Sequence, residues 1–229
     1  MAHTTTGVRE AVHLLPQTNQ LRALHTVIRD RHADRDQFVR TSGRIIRQLV
    51  EAGLELLPFE PYDVQTPVGR TYHGLRIGPP FCGVAIARAG ESMEAGLRSV
   101  VPAVRIGKIL IQRDPATKQP HLHYAKLPTD IAERHVLLLD PMLATGGTAL
   151  AAIGVLTGRG VPEDRIVMIN LLSAPEGIAA VRERNPGVRM VTSSVEERLN
   201  DNAYMLPGIG DFGDRWFGTD LVPTAGGTP

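Results

Sequence analysis

The amino-acid sequence predicts an α/β fold built on a doubly wound parallel sheet. Three observations carry that expectation. Short apolar runs alternate with helical stretches along the middle of the chain, the rhythm of strands joined by crossover helices. Residues 136–139 (VLLL) are apolar at every position, as a central parallel strand covered on both faces requires. That strand delivers Asp140 and a glycine-rich loop to its carboxyl end, where open α/β sheets bind ligands. With 229 residues, the chain reads as one domain spanning 1–229, with ample length for a core.

The elements follow in order. From about 17 to 57 the pattern is helical: Leu21, Leu24, Val27 and Ile28 recur at helical spacing, and Ile45, Ile46, Leu49 and Val50 do so again. Residues 63–77 read as a hairpin turning at Pro67, Val68 and Gly69. Strands are expected at 84–87, 106–111, 136–139, 166–172 and 188–191, with helices at 91–99, 148–160 and 175–185. The stretch 112–128 (QRDPATKQPHLHYAKLP) is too polar and turn-rich for a crossover helix, and reads as a hairpin arm leaving the sheet. Its His121 and His123 lack a third ligand within the reach of the sequence and are read as ordinary arm residues.

Composition narrows the chemistry. Lys+Arg number 25 against 24 Asp+Glu, a net charge of +1, which removes the usual reason to expect nucleic-acid or anionic-membrane partners. Lys108, Lys118 and Lys126 are the only lysines among those 25, so lysine-dependent chemistry is disfavoured and arginine forks are not. The single cysteine, Cys82, excludes an internal disulfide, and its apolar surroundings make it a small core residue. The N-terminal stretch has no cationic segment followed by an apolar run, and no stretch approaches a membrane span, so a cytoplasmic protein is expected.

The most informative segment is HVLLLDPMLATGGTA, residues 135–149. Glycines let a backbone wrap a ligand and point successive amides inward, threonine hydroxyls add donors, and a helix behind contributes its positive end. That is a phosphate cradle, and the acceptor-only carboxylate of Asp140 suits ribose hydroxyls. No lysine follows the glycines, which excludes a Walker loop, and the GxGxxG spacing of a dinucleotide fold is absent. At residues 87–90 (ARAG), Arg88 stands beside a glycine at a strand end, where a guanidinium can meet a pyrophosphate. The stretch 203–220 (AYMLPGIGDFGDRWFGTD) is dense in glycine and suited to presenting backbone groups.

The segment VLLLDPMLATGGTA resembles the phosphoribosyl-pyrophosphate (PRPP) signature of type I phosphoribosyltransferases, and its DPMLATGG form resembles the uracil-specific members. RAGESMEAGL (88–97), IGKILIQRD (106–114), SAPEGI (173–178) and PGIGDFGDRWFGTD (207–220) extend the resemblance from about 15 to 220. It implies a type I phosphoribosyltransferase-like sheet with a hairpin arm and a small hood built from both termini. The divisions are 15–80 for N-terminal helices and hairpin, 81–195 for the PRPP core with its arm at about 112–128, and 196–220 for a uracil-binding hood loop. PRPP would be held by Arg88, Arg113, Asp140, Pro141, Met142, Leu143, Ala144, Thr145, Gly146, Gly147, Thr148 and Asp211. Uracil would meet Met205, Gly210, Asp211 and Phe212. Catalytic roles fall to Asp140, Arg113 and Asp211, the last a candidate general base.

One departure from the wider superfamily is Pro141, where most type I members carry a second acid. Mg²⁺, the implied cofactor, would then be held mainly through PRPP, with no protein ligand set of its own. Phe212 replaces a small residue of many members, which leaves recognition intact if the contact is through its backbone. The resemblance also implies a dimer or tetramer and puts GTP among the candidate effectors. Two competing readings are a transferase for a purine or orotate, and a non-catalytic RNA-binding regulator of pyrimidine genes. The PGIGDFGD loop speaks against the first, and the near-neutral charge against the second.

Overall fold

Local capping divides the N-terminal helical stretch in two. In the computed structural model, which describes residues 12–113 and 120–219, helix α1 (Asn19–Arg29) starts behind Thr18, whose hydroxyl accepts the Leu21 N–H at 3.1 Å. Helix α2 (Arg35–Glu55) starts behind Asp34 in a reciprocal capping box: Asp34 accepts the Gln37 N–H at 2.7 Å, and the Gln37 side chain accepts the Asp34 N–H at 3.0 Å. The apolar periodicity alone does not show this break, because it resumes in phase across it.

A short strand β1 (Val12–Leu14) precedes these helices and was not expected; three residues are too few to display a period. The hairpin consists of β2 (Phe59–Gln65) and β3 (Thr71–Ile77), and it begins earlier than the expected residue 63. Pro61 and the acids around it mask the first strand in the sequence, but a two-stranded sheet apart from the main one tolerates a proline.

The remaining strands are β4 (Phe81–Ala87), β5 (Ile106–Arg113), β6 (Pro120–Lys126), β7 (His135–Leu139), β8 (Met142–Leu143), β9 (Ile166–Ser173) and β10 (Arg189–Val195). They form the main sheet in the order β1-β10-β9-β7-β4-β5-β6, with β8 pairing β9. All pairs are parallel except β5 with β6. The polar arm therefore does not leave the sheet over its described length. Strand β6 pairs with β5 from Lys108 opposite Lys126 to Arg113 opposite Pro120, and forms the edge. Residues 114–119 and the side chain of Arg113 lie outside the described residues.

Strand β7 occupies the middle of the sheet, and all five of its residues are buried. Its side chains alternate between two cores. Leu137 and Leu139 belong to one core with Leu24 of α1, Ile46 and Leu49 of α2, and Leu97 of helix α3 (Glu94–Val100). Val136 and Leu138 face helices α4 (Gly147–Thr157) and α5 (Pro175–Arg184), meeting Ala152, Ile153, Ile178 and Val181. Helices on both faces make the sheet doubly wound, as the sequence predicts. Cys82, on β4, is fully buried, and burial pushes its thiol up to about 12, the behaviour of an inert core residue.

This layering makes Leu138 a direct probe of the core. Leu138→Ala should cost roughly 2–5 kcal/mol of stability, read as a lower urea midpoint at unchanged slope.

Candidate active site

The strand-end loop is fixed almost entirely by backbone bonds to β9. Asp140 donates its N–H to the Ile169 carbonyl at 3.2 Å. Pro141 has no N–H to place, and its carbonyl accepts from both Leu171 and Leu172 at 2.9 Å. The Leu143 carbonyl accepts the Ala174 N–H at 2.8 Å, and the buried Asn170 side chain donates to the Asp140 carbonyl at 2.6 Å. Gly146 then adopts a left-handed φ of +83° at the start of α4. A Cβ there would also crowd Ala180 and the Gly177 carbonyl, both at 3.2 Å, so the loop rides close on α5.

The result is a cleft of about 240 Å³ lined by Asp140, Met142, Leu143, Ala144, Thr145, Gly146, Gly147 and Thr148, with Arg88 on the opposite wall. Pro141 sits behind it, buried, with its carbonyl committed to β9. Within the cleft Asp140 is the one carboxylate among the described residues. Burial pushes its carboxyl up to about 7, only partly opposed by a long contact of 3.5 Å from the Met142 N–H. A buried carboxylate with so few donors is well suited to accept hydroxyl groups from a ligand.

Arg88 follows β4 and faces the C-terminal helix α6 (Phe212–Phe217). Its guanidinium lies 2.5 Å from Asp214, 3.6 Å from Asp211 and 3.3 Å from the Thr219 hydroxyl. Thr219 and then Arg88 hold the Asp214 carboxyl below its ordinary range. Asp211 caps α6 by accepting the Asp214 N–H at 2.8 Å. Asp214 was not singled out from sequence; its spacing three residues after a capping acid was the available signal.

The glycine-rich stretch is anchored through its own Arg215 and its buried Ile209 and Phe212. After strands β11 (Arg198–Leu199) and β12 (Met205–Leu206), the chain turns at Gly208 and Gly210, with φ of +67° and +77°. Arg215 donates to the Ile209 carbonyl at 2.9 Å and to the Asp30 carbonyl at 2.9 Å, with its guanidinium 4.1 Å from the Phe38 ring centroid. The N-terminal helices and the C-terminal part of the described residues thus meet in one hood. The hood encloses a second cleft of about 370 Å³, lined by Met205, Gly208, Gly210, Asp211 and Phe212. Phe212 is 2% exposed, its ring 5.3 Å from Phe38 and 5.6 Å from Trp216, so its side chain belongs to the core and leaves backbone for the cleft.

The two clefts share a wall. Met142 and Ala144 line both, so a ligand phosphate in the first and a planar ring in the second would lie on either side of one short segment.

A family model described as uracil phosphoribosyltransferase matches residues 15–219. The chain belongs to the uracil phosphoribosyltransferase family. It is 53% identical over 211 residues to the uracil phosphoribosyltransferase of Dictyostelium discoideum, covering 92% of this chain and 98% of that one. A solved protein of Aquifex aeolicus superposes with a TM-score of 0.81 at 28% identity, over 92% of this chain and 100% of the other. The adenine phosphoribosyl transferase of Trypanosoma brucei shares the fold at a TM-score of 0.58 and 15% identity, covering 91% of each chain. Membership makes the chain a pentosyl-transferring enzyme, and the sheet is that of the type I phosphoribosyltransferases.

Gly146→Ala tests the local geometry of the loop. The left-handed φ and the contact with α5 together should cost about 1–3 kcal/mol in urea unfolding. A neutral substitution would mean that the loop relaxes freely.

Proposed function

We propose that the two clefts divide one reaction between them: transfer of the phosphoribosyl group from PRPP to N1 of uracil, giving uridine 5′-monophosphate (UMP) and pyrophosphate. The observation that supports this reading is that Met142 and Ala144 line both clefts, so a phosphate held in the first and a flat base in the second would be neighbours. Residues Ala144, Thr145, Gly146, Gly147 and Thr148 hold the 5′-phosphate with amides, hydroxyls and the positive end of α4. Asp140 accepts the ribose hydroxyls. Met205, Gly210, Asp211 and Phe212 present backbone donors and acceptors to the polar edge of uracil, the kind of complementarity that rejects bases lacking it.

Arg88 faces the pyrophosphate, which competes with Asp214 for the guanidinium. Arg113, at the end of β5, is the second arginine that the family resemblance assigns to the pyrophosphate. With one carboxylate in the cleft and a proline after it, the donor set suits an Mg²⁺ that PRPP itself carries in, held mainly by its pyrophosphate, its hydroxyls and water. When bound, the ion supplies charge neutralisation for the leaving pyrophosphate. The ribosyl carbon develops oxocarbenium character and inverts. Alignment across the shared wall contributes more than a strong base does, with Asp211 beside the base as the group closest to a proton-accepting role.

Family resemblance also supports a homo-oligomer and GTP as an effector, and the exposed Tyr62, Tyr72 and Leu75 of the hairpin give an oligomer apolar surface to cover. No helix among the described residues is long and apolar enough to cross a membrane. A cytoplasmic location is supported by a lone cysteine that is buried.

The direct test is incubation with PRPP, Mg²⁺ and uracil, with UMP as the expected product and no UMP as the contrary result. The raised carboxyl of Asp140 adds a pH signature. Ribose hydroxyls need the ionised form, whose share falls below pH of about 7, so PRPP affinity should drop by up to about tenfold per pH unit there and level off above. Calorimetry in buffers of different ionisation enthalpy should detect proton release near neutral pH. Asp140→Asn should abolish that release; the same release in both proteins would refute the assignment.

A further inference from the structure

We propose that the pair of half-buried Arg29 and buried Glu196 is a positioning element for base binding, gripping the hood loop at Gly208 by both ends of its polar backbone. Glu196 leaves the end of β10 and is 4% exposed. Its Oε2 accepts the Gly208 N–H at 2.8 Å and Arg29 Nη1 at 2.8 Å, while its Oε1 accepts Arg29 Nη2 at 2.6 Å. Arg29 Nη1 also donates to the Gly208 carbonyl at 3.2 Å. One fork therefore holds one residue's N–H, through the carboxylate, and its C=O directly. Ser194 completes the set, bonding Arg29 and Glu196 at 3.2 Å each.

The loop needs such a grip. Gly208 has a left-handed φ, and a Cβ there would run into the Met205 carbonyl, so this residue has no side chain of its own with which to pack. Gly208 lies between Met205 and Gly210, two of the residues assigned to the base, and all three line the same cleft. A buried ion pair adds little net stability compared with well-packed apolar residues, but its directed bonds fix geometry. Burial works against ionisation of Glu196, yet the Arg29 fork and the Gly208 N–H keep its carboxyl below the usual range. The pair joins α1 to the hood across 167 residues of sequence, so it sets the height of the loop over the cleft.

This inference rests on the assignment of the hood cleft to the base, and the test separates the two. Two variants are compared with the wild-type enzyme. Glu196→Gln keeps the shape and loses the charge. Arg29→Lys keeps the charge and loses the fork, so it cannot serve Glu196 and the Gly208 carbonyl together. The readouts are the KM of the base that the wild-type enzyme turns over, the Kd of PRPP without base, and hydrogen exchange of residues 205–212. Each variant should raise the KM of the base about tenfold, leave the PRPP Kd within about twofold, and speed exchange in that segment. If Glu196→Gln fails to fold, Arg29→Lys carries the test. Equal losses in KM and PRPP Kd, or unchanged exchange at 205–212, would overturn the clamp. A wild-type preference for a base other than uracil would sink the substrate reading alone, because the split between KM and Kd and the exchange data still judge the clamp.

Discussion

The constraint on which the site depends is the join between β7 and β9. A fully buried strand ends at a carboxylate, and the next residues hang from β9 through the Pro141 and Leu143 carbonyls and the Asn170 side chain. That join places a charge at the very edge of an apolar core. It cannot drift toward water without breaking bonds that are themselves buried. The elevated carboxyl of Asp140 is the electrostatic consequence, and the position of the glycine loop is the geometric one.

The hood solves a different physical problem. A segment rich in glycine has few side chains to pack, and its left-handed turns cost conformational entropy. Its position comes from the buried Met205, Ile209 and Phe212 and from charged side chains: Arg29 and Glu196 at Gly208, Arg215 at Ile209, and Arg88 against Asp214 on α6. Arginine suits this work, since a planar fork can hold two carbonyls or a carbonyl and a carboxylate at once. The excess of arginine over lysine in the composition thus serves structure.

What could be read from the sequence follows from range. Strand β7, Asp140, the loop and α4 are contiguous, and their residue types state their own requirements, so this strand–loop–helix unit was legible before any fold was known. The same holds for helices α4 and α5 and for the burial of Cys82. Three features were hidden. The division of the N-terminal helical stretch depends on a capping box inside a polar run, with the apolar residues on either side of it in phase. Strand β1 is too short to show alternation. The Arg29–Glu196 and Arg88–Asp214 pairs join residues more than a hundred positions apart, and no local pattern marks either. The resemblance supplied Gly210, Asp211 and Phe212; the structure adds that the Phe212 ring is occupied in the core.

The central claim is that the cradle and the hood cleft face one another across Met142 and Ala144. A crystal structure with UMP bound measures this most directly. The shared wall predicts the phosphate on the amides of residues 144–148, the ribose hydroxyls on Asp140, and the uracil ring against the backbone of residues 210–212. A nucleotide with its phosphate in the loop but its base directed away from the hood would contradict it.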